Sequence, residues 1–409
     1  MDFGRLTETA KSLAPGIFII GYVIGTGSVT TMASAGASYG MSLLWTLVLA
    51  SLFTHIMLVG ISRVTILSGD TILHLFRRHF GSAVTVVIIG SLMATQLTSI
   101  IGVMAIVVDV LREWTGTYLG YSLPMLGSAT FFTMLLVTLF WVGRHDFFLK
   151  ILTSLVSVMG LAFFLTASLV PPAISEVVTG FIPSMPDSGN PKLLIAGMVG
   201  TTMASVVLIT RSVLVQEKGW TVKDLRIVDR DSAVSMTLLF FINAAIMACA
   251  AGTLHVKGIE IVAAIDMVKT LEPLAGSIAV TTFVLGILAA GLSSLFPNYL
   301  LGPWMISDFL GIPRDMSRGV FRAMVVVAAL FGLVVPVFGG KPVQIMIASQ
   351  AVSPIAMPLL AVFVFILLNK KSVVGEHRPG PWLNAGLLIT VVFSLYMFVI
   401  ALTGFLGGS

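Results

Sequence analysis

Apolar residues run along the chain in windows of about 20 or more, the length a helix needs to cross a bilayer's hydrocarbon core. The windows fall at 13–39, 41–62, 82–108, 124–142, 146–171, 193–216, 232–254, 274–307, 320–338, 342–369 and 382–406. The pattern predicts an all-α polytopic membrane protein of eleven spans within one membrane domain, 1–409. A segment rich in Pro, Gly and Ser, 172–192, divides the first ten spans into two sets of five. An odd number of spans per set turns the second upside down relative to the first. The expected organisation is therefore a 5+5 inverted repeat, 13–171 and 193–370, with an eleventh span at 382–406. Inverted repeats are the build of many secondary transporters, whose site lies where the first helix of each half is broken near the midplane.

Both candidate helices carry such an interruption. Span one contains Gly25, Thr26, Gly27 and Ser28 within "IGTGSVTTMASAG", and span six contains "GTTMAS" at 200–205. Unwound backbone at membrane depth is tolerated only where it is buried in protein or lines a cavity. The paired interruptions point to a substrate site, against the plainer reading of small residues that let helices pack closely. Breaks at 25–28 and 202–205 would free N–H groups at half-helix ends, where a glycine lets backbone approach an anion. The hydroxyls of Ser28, Thr30, Thr201, Thr202 and Ser205 either add donors there or bond back to their own helices. Gly36, farther along span one, is expected to tolerate a side chain better than Gly27.

Composition narrows the class. Hydrophobic residues make up 57% of the 409, charged residues 10%, and the mean hydropathy is +1.05, values that exclude an ordinary soluble domain. The lone cysteine, Cys249, rules out an intramolecular disulfide framework or a thiolate metal cluster. The Gly-Lys-Ser/Thr phosphate loop is missing, which argues against ATP-driven transport by this chain. The expectation is a non-enzyme without a cofactor. The amino terminus has no small-residue cleavage site ahead of its apolar run, so the first span is expected to be retained. Of 23 lysines and arginines only Arg112, Lys192, Lys257, Lys269 and Lys341 fall on the far side if the amino terminus is cytoplasmic, leaving 18 on the near side. That asymmetry predicts an inner-membrane protein with its amino terminus inside and its carboxyl terminus outside. It also accounts for the net charge of +5 as topology signal, so the lipid bilayer and a small solute are the expected partners and nucleic acid is not.

The order of "LAPG…GTGS" in span one, "ATQLTSIIG" at 94–102, "GTTMAS…SVLVQ" in span six, "AAGLSS" at 289–294, "SQAVSPIAMP" at 349–358 and "LLNKKSVVG" at 367–375 resembles the Nramp family of secondary transporters. The resemblance covers nearly the whole chain. It implies a LeuT-type fold and proton-coupled uptake of divalent metals. It also implies departures. Where the family carries Asp-Pro-Gly-Asn this chain has Gly25, Thr26, Gly27 and Ser28. Where the family carries Met-Pro-His-Asn it has Ala204, Ser205, Val206 and Val207, so the family's thioether ligand is absent there. Gln96 and Ser99 stand in place of the span-three acids of the proton route, and Arg211 in place of a span-six histidine. Gln350 matches a glutamine that the family keeps near its metal.

All 18 acids lie in loops or at span ends, Asp109, Asp146 and Asp308 among them. A bare dication in mid-membrane would then meet only neutral dipoles against a large desolvation cost, whereas hard cations normally take carboxylates. Three substrate readings follow: a hydrated or weakly held divalent cation, a small organic acid or amino-acid-like solute cradled at Gly25–Ser28, and a receptor-like pseudo-transporter that moves nothing. Thr202, Ala204, Ser205 and Gln350 complete the candidate substrate set. Gln96, Ser99, Arg211 and His55 are candidates for coupling or gating. Arg211, the one charge within the sixth apolar stretch, is expected to snorkel to the cytoplasmic face or make a gate contact. His55 is the titratable group in the core suited to exchange a proton near neutrality, or else a structural histidine. The segment 255–273 reads as a surface helix over an external vestibule.

Overall fold

The structure, a computed structural model, describes residues 25–142, 145–271, 277–312 and 318–407. It is helical throughout, and no strand occurs among the described residues. The chain runs through α1 (Thr26–Tyr39), α2 (Leu44–Ser68), α3 (Ile72–Phe80), α4 (Ser82–Leu119), α5 (Met125–Val142), α6 (His145–Leu169) and the short α7 (Ile174–Gly180). It continues through α8 (Pro191–Thr202), α9 (Ser205–Lys218), α10 (Leu225–Thr253), a 3₁₀ segment Ala264–Leu271, and α11 (Ser277–Leu310). The last part comprises α12 (Gly319–Leu330), α13 (Val334–Phe338), α14 (Pro342–Ala351), α15 (Ser353–Asn369) and α16 (Pro381–Leu406).

Ten helical stretches among the described residues are long and apolar enough to cross a membrane, and they match the second to eleventh windows of the sequence. The first window, 13–39, is described only from residue 25 onward, so its half before the interruption lies outside the described residues. Segment 172–192 contains α7. Of segment 255–273, the described part to residue 271 contains two 3₁₀ stretches, His255–Lys257 and Ala264–Leu271, and Ala264, Met267 and Thr270 are fully buried, so the segment is packed into the bundle rather than resting on its surface as a helix.

The layering follows from what each helix can bury. α8 with α9, α11 and α2 are the most enclosed, and they carry many of the small and hydroxyl residues. α5, α6, α12 and α16 keep large apolar faces outward, with Phe131, Met134 and Leu161 each more than 60% exposed, as a helix facing lipid can. Contact between inner helices relies on missing side chains. A Cβ on Gly36 of α1 would stand 2.2 Å from the Met247 carbonyl oxygen in α10, and one on Gly200 of α8 1.9 Å from that of Gln350 in α14. Small residues therefore set the spacing of α1 on α10 and of α8 on α14.

Candidate functional site

Span six is broken as its sequence suggests, over two residues. α8 stops at Thr202, Met203 and Ala204 leave the helical region (φ −105°, ψ 52° and φ −64°, ψ 116°), and α9 starts at Ser205. The hydroxyl of Ser353 in α15 accepts the freed Ser205 N–H at 3.1 Å, a cap supplied from another helix. In span one the described chain is extended at Gly25 (φ −109°, ψ −170°) and helical from Thr26. Thr26, Gly27 and Ser28 are thus the first turn of α1 and not unwound backbone, which corrects the expectation of a break across all four positions. The Ser28 and Thr201 hydroxyls meet at 3.0 Å and tie α1 to α8.

Between these two helix ends lies a polar cavity that admits water-sized occupants over about 40 Å³, room for roughly three waters. Gly25 and Gly27 form one wall, Gly200, Thr201, Ala204 and Val206 the wall opposite. α4 contributes Thr95, Gln96, Ser99 and Val103, α11 Ser294 and Asn298, and the α14–α15 junction Met346, Ser349, Gln350 and Ser353. The Gln96 amide nitrogen donates to the Asn298 backbone carbonyl at 2.9 Å and contacts the Asn298 side-chain oxygen. Gln350 donates to the Ser349 hydroxyl at 3.3 Å. Every lining group is neutral. Among the described residues no cluster of three or more His, Cys, Asp or Glu is placed to hold a metal.

Six of the twelve sequence candidates line this space: Gly25, Gly27, Gln96, Ser99, Ala204 and Gln350. The rest lie around it. Thr26 is fully buried and its methyl faces the Gly291 backbone of α11. Ser28 is engaged with Thr201, Ser205 sits at the Ser353 cap, and Thr202 is buried with its hydroxyl unpartnered. His55 and Arg211 are not in the wall. The candidates overlooked in the sequence are Thr95, Ser294, Asn298, Met346, Ser349 and Ser353. A usable signal existed: Met346, Ser349, Gln350 and Ser353 follow an i, i+3, i+4, i+7 spacing, and Ser294 and Asn298 an i, i+4 spacing, each one face of a helix. A thioether thus reaches the cavity from Met346, though not from the position where the family comparison sought it.

Arg211 does not snorkel. It is fully buried, its guanidinium 2.5 Å from the Asp231 carboxylate, with Nε donating to Ser62 at 2.8 Å and a further bond to Ser232 at 3.3 Å. Its guanidinium carbon also lies 5.4 Å from the centre of the Trp220 ring. Asp231, beside the start of the 232–254 window, is equally buried, so an acid at a span end is not necessarily exposed. A charged partner within reach removes the reason for the side chain to stretch toward water. Asp109, 8% exposed, accepts the Ala264 N–H at 3.1 Å and so holds the 3₁₀ segment on α4. In that segment burial works to raise the Asp266 carboxyl, but the N–H groups of Ala263 and Val262 and the Lys269 ammonium at 2.9 Å hold it below the usual carboxylate range.

Two half-helix ends facing one another across a polar cavity, within a bundle of membrane-length helices, define a transporter-like membrane protein, and the comparisons agree. The family model for natural resistance-associated macrophage protein-like (Nramp) proteins matches residues 16–404. The chain belongs to the Nramp family. A divalent metal cation transporter MntH of Klebsiella pneumoniae strain 342 is 30% identical over 390 residues, 92% of this chain and 90% of that one. One from Yersinia pestis strain Pestoides F is 30% identical over 86% of this chain and 85% of its own. In fold the chain is similar to the Eremococcus coleocola manganese transporter in complex with an aromatic bis-isothiourea substituted compound, with a TM-score of 0.75 at 16% identity over 100% of this chain and 90% of that one. It is similar also to Mhp1, a nucleobase-cation-symport-1 family transporter, with a TM-score of 0.62 at 16% identity over 96% and 89%. The fold is LeuT-type.

Proposed function

We propose that this chain is an alternating-access secondary transporter that carries a divalent cation, bound weakly and with part of its water shell retained, through the cavity between α1 and the α8–α9 break. The observation that carries this reading is the cavity's lining of neutral oxygens and one thioether without a carboxylate. Amide and hydroxyl oxygens orient the waters of a hydrated ion, and an ion that keeps waters avoids much of its desolvation cost. Residues 13–171 and 193–370 are taken as the inverted halves that rock around the site, with 382–406 packed outside them and the amino terminus in the cytoplasm. Family membership supports a cation over the organic-acid alternative. So does the site itself, since the Ser205 N–H that would hold a carboxylate is already bonded to Ser353 and the space admits little more than a few waters.

Proteoliposome uptake tests the reading. Manganese and magnesium should enter with half-saturation in the millimolar range, and amino acids and small carboxylates should not. Micromolar manganese binding by isothermal titration, or uptake confined to carboxylates, would overturn it.

A further inference from the structure

Behind the cavity wall a second set of polar groups is buried with no hydrogen-bond partner: Thr30 Oγ1 on α1, Ser51 Oγ and His55 Nδ1 on α2, and both side-chain ends of Asn243 on α10. Helix register brings them together. Gly36 packs on Met247 and Ala250, and Ala37 carbonyl lies 2.9 Å from His255 Nδ1 just past α10, so α1 and α10 run in parallel with Thr30 near the level of Asn243. α2 starts at that same outer end and closes at the other with Arg63 bonded to Asp229 at 2.7 Å, so it is antiparallel to α10. Counted from the Arg63–Asp229 bond and from the Ser232 contact of His55, Asn243 lies level with the stretch Leu44–Leu49 of α2, within about two turns of Ser51. His55 is one turn farther in on the Ser51 face, next to the Ser232 backbone. Ser62, on that face again, accepts from Arg211.

The groups therefore form a seam that starts at Thr30, Ser51 and Asn243, passes His55, and reaches the Arg211–Asp231 pair and then the part-exposed Arg63–Asp229 pair. A fully buried amide with neither end bonded is costly and rare. Ordered water, which needs two to four polar partners, satisfies such groups, and this seam offers donors and acceptors along its length.

We infer that the α1–α2–α10 seam is a water-holding proton path and that His55 is its proton-exchanging group. A proton from water on the Arg211–Asp231 side passes to His55 Nδ1, giving an imidazolium; that N–H bond then breaks to a water on the Ser51 side, where the unpartnered Ser34 and Thr46 hydroxyls continue the seam toward the other face. The charged groups near it are Asp229 and Asp231 from α10, Arg211 from α9 and Arg63 on α2; α8, α15 and α16, which also pack on α2, carry no charge along this stretch. α1 separates seam from cavity, with Gly27 facing the cavity, so a shift of α1 on cation binding would be felt at His55. This last link rests on the transport reading above; the path itself does not.

The test is proton entry into proteoliposomes under a valinomycin-imposed negative interior potential, followed with a trapped pH dye, with manganese entry read in the same vesicles. Wild-type protein should admit protons, and His55→Gln and Asn243→Leu should each cut that entry ~10-fold or more while manganese still enters. Asn243→Gln should retain most of it, and melting curves should show each variant folded. Ser168→Ala, on the exposed face of α6 with its hydroxyl bonded to its own helix at Phe164, should leave proton entry unchanged. No proton entry in wild type, or entry unaltered in both seam variants, overturns the path. His55-dependent proton entry without manganese or magnesium entry would instead strike the transport reading and leave the seam standing.

Discussion

A Cβ on Gly27 would meet the flexible ends of two side chains, Met346 Cε at 2.8 Å and the Gln350 amide at 3.0 Å, whereas one on Gly36 would meet a backbone carbonyl at 2.2 Å. Side-chain ends move aside and a helix backbone does not. Gly27→Val is therefore expected to fill the cavity and abolish uptake while the protein stays folded. Gly36→Ala should instead lower the melting temperature by forcing α1 off α10, the reverse of what sequence position alone suggests; uptake per folded molecule beside a melting curve separates the two. The sequence marks both as glycines in a small-residue stretch and cannot say which neighbour each one meets. Arg211 makes the same point for charge. Asp231→Leu should destabilise by about 3–5 kcal/mol because it strands a buried guanidinium. Adding Arg211→Met should recover much of that loss, so a double-mutant cycle in denaturant that shows simple additivity would refute the pairing. The pair was unreadable in the sequence because Asp231 sits near a helix start, a position that normally means exposure.

At the scale of elements, hydrophobic windows located the ten described spans closely, since twenty apolar residues have few other uses. What the windows could not show is where a helix stops within an apolar run. α9 begins at Ser205 because Ser353, from a different helix, takes its N–H. Ser353→Ala should cost about 1 kcal/mol, in line with loss of a helix cap, and should loosen the α8–α9 break, read as faster amide exchange at residues 203–207. Residues 255–273 read in the sequence as a surface helix from the recurrence of apolar residues between Ile259 and Val268, whereas Ala264–Leu271 is a 3₁₀ segment. Its shape comes from polar anchors, Asp109 at its first N–H and Asp266 at its start. As the Asp266 carboxyl is held below its ordinary value, its contribution is fully present above the unfolded value near 3.9 and is lost as pH falls through the folded one. Asp266→Asn should remove that acid dependence, measured as protease sensitivity of the segment between about pH 5 and pH 2.

Across the whole molecule, fold and family were legible because the hydrophobic windows and the order of motifs each extend over hundreds of residues. Only part of the site was legible, since the family's motifs touch all five separated stretches of the cavity but do not say which of their residues face it: Thr95, Ser294, Ser349 and Ser353 lie inside those motifs, Asn298 and Met346 outside them. What the assembled site adds is a reason for the missing acid. A Cβ at Gly25 would stand 2.2 Å from Ser294 Oγ and 3.2 Å from Ser294 Cβ, so the α11 hydroxyl fills the place that the family's first aspartate would need. The two residues should therefore behave as a unit. Gly25→Asp alone is expected to fold poorly and to gain little metal affinity, while Gly25→Asp with Ser294→Ala gives the carboxylate room beside Met346 and Gln350. A carboxylate added to neutral oxygens and a thioether suits manganese, and the double variant should bind it roughly 100-fold more tightly than the parent, about 2.7 kcal/mol. Titration calorimetry on parent, both single variants and the double variant measures the coupling. Equal manganese affinity in Gly25→Asp with and without Ser294→Ala would show that the hydroxyl does not guard that position.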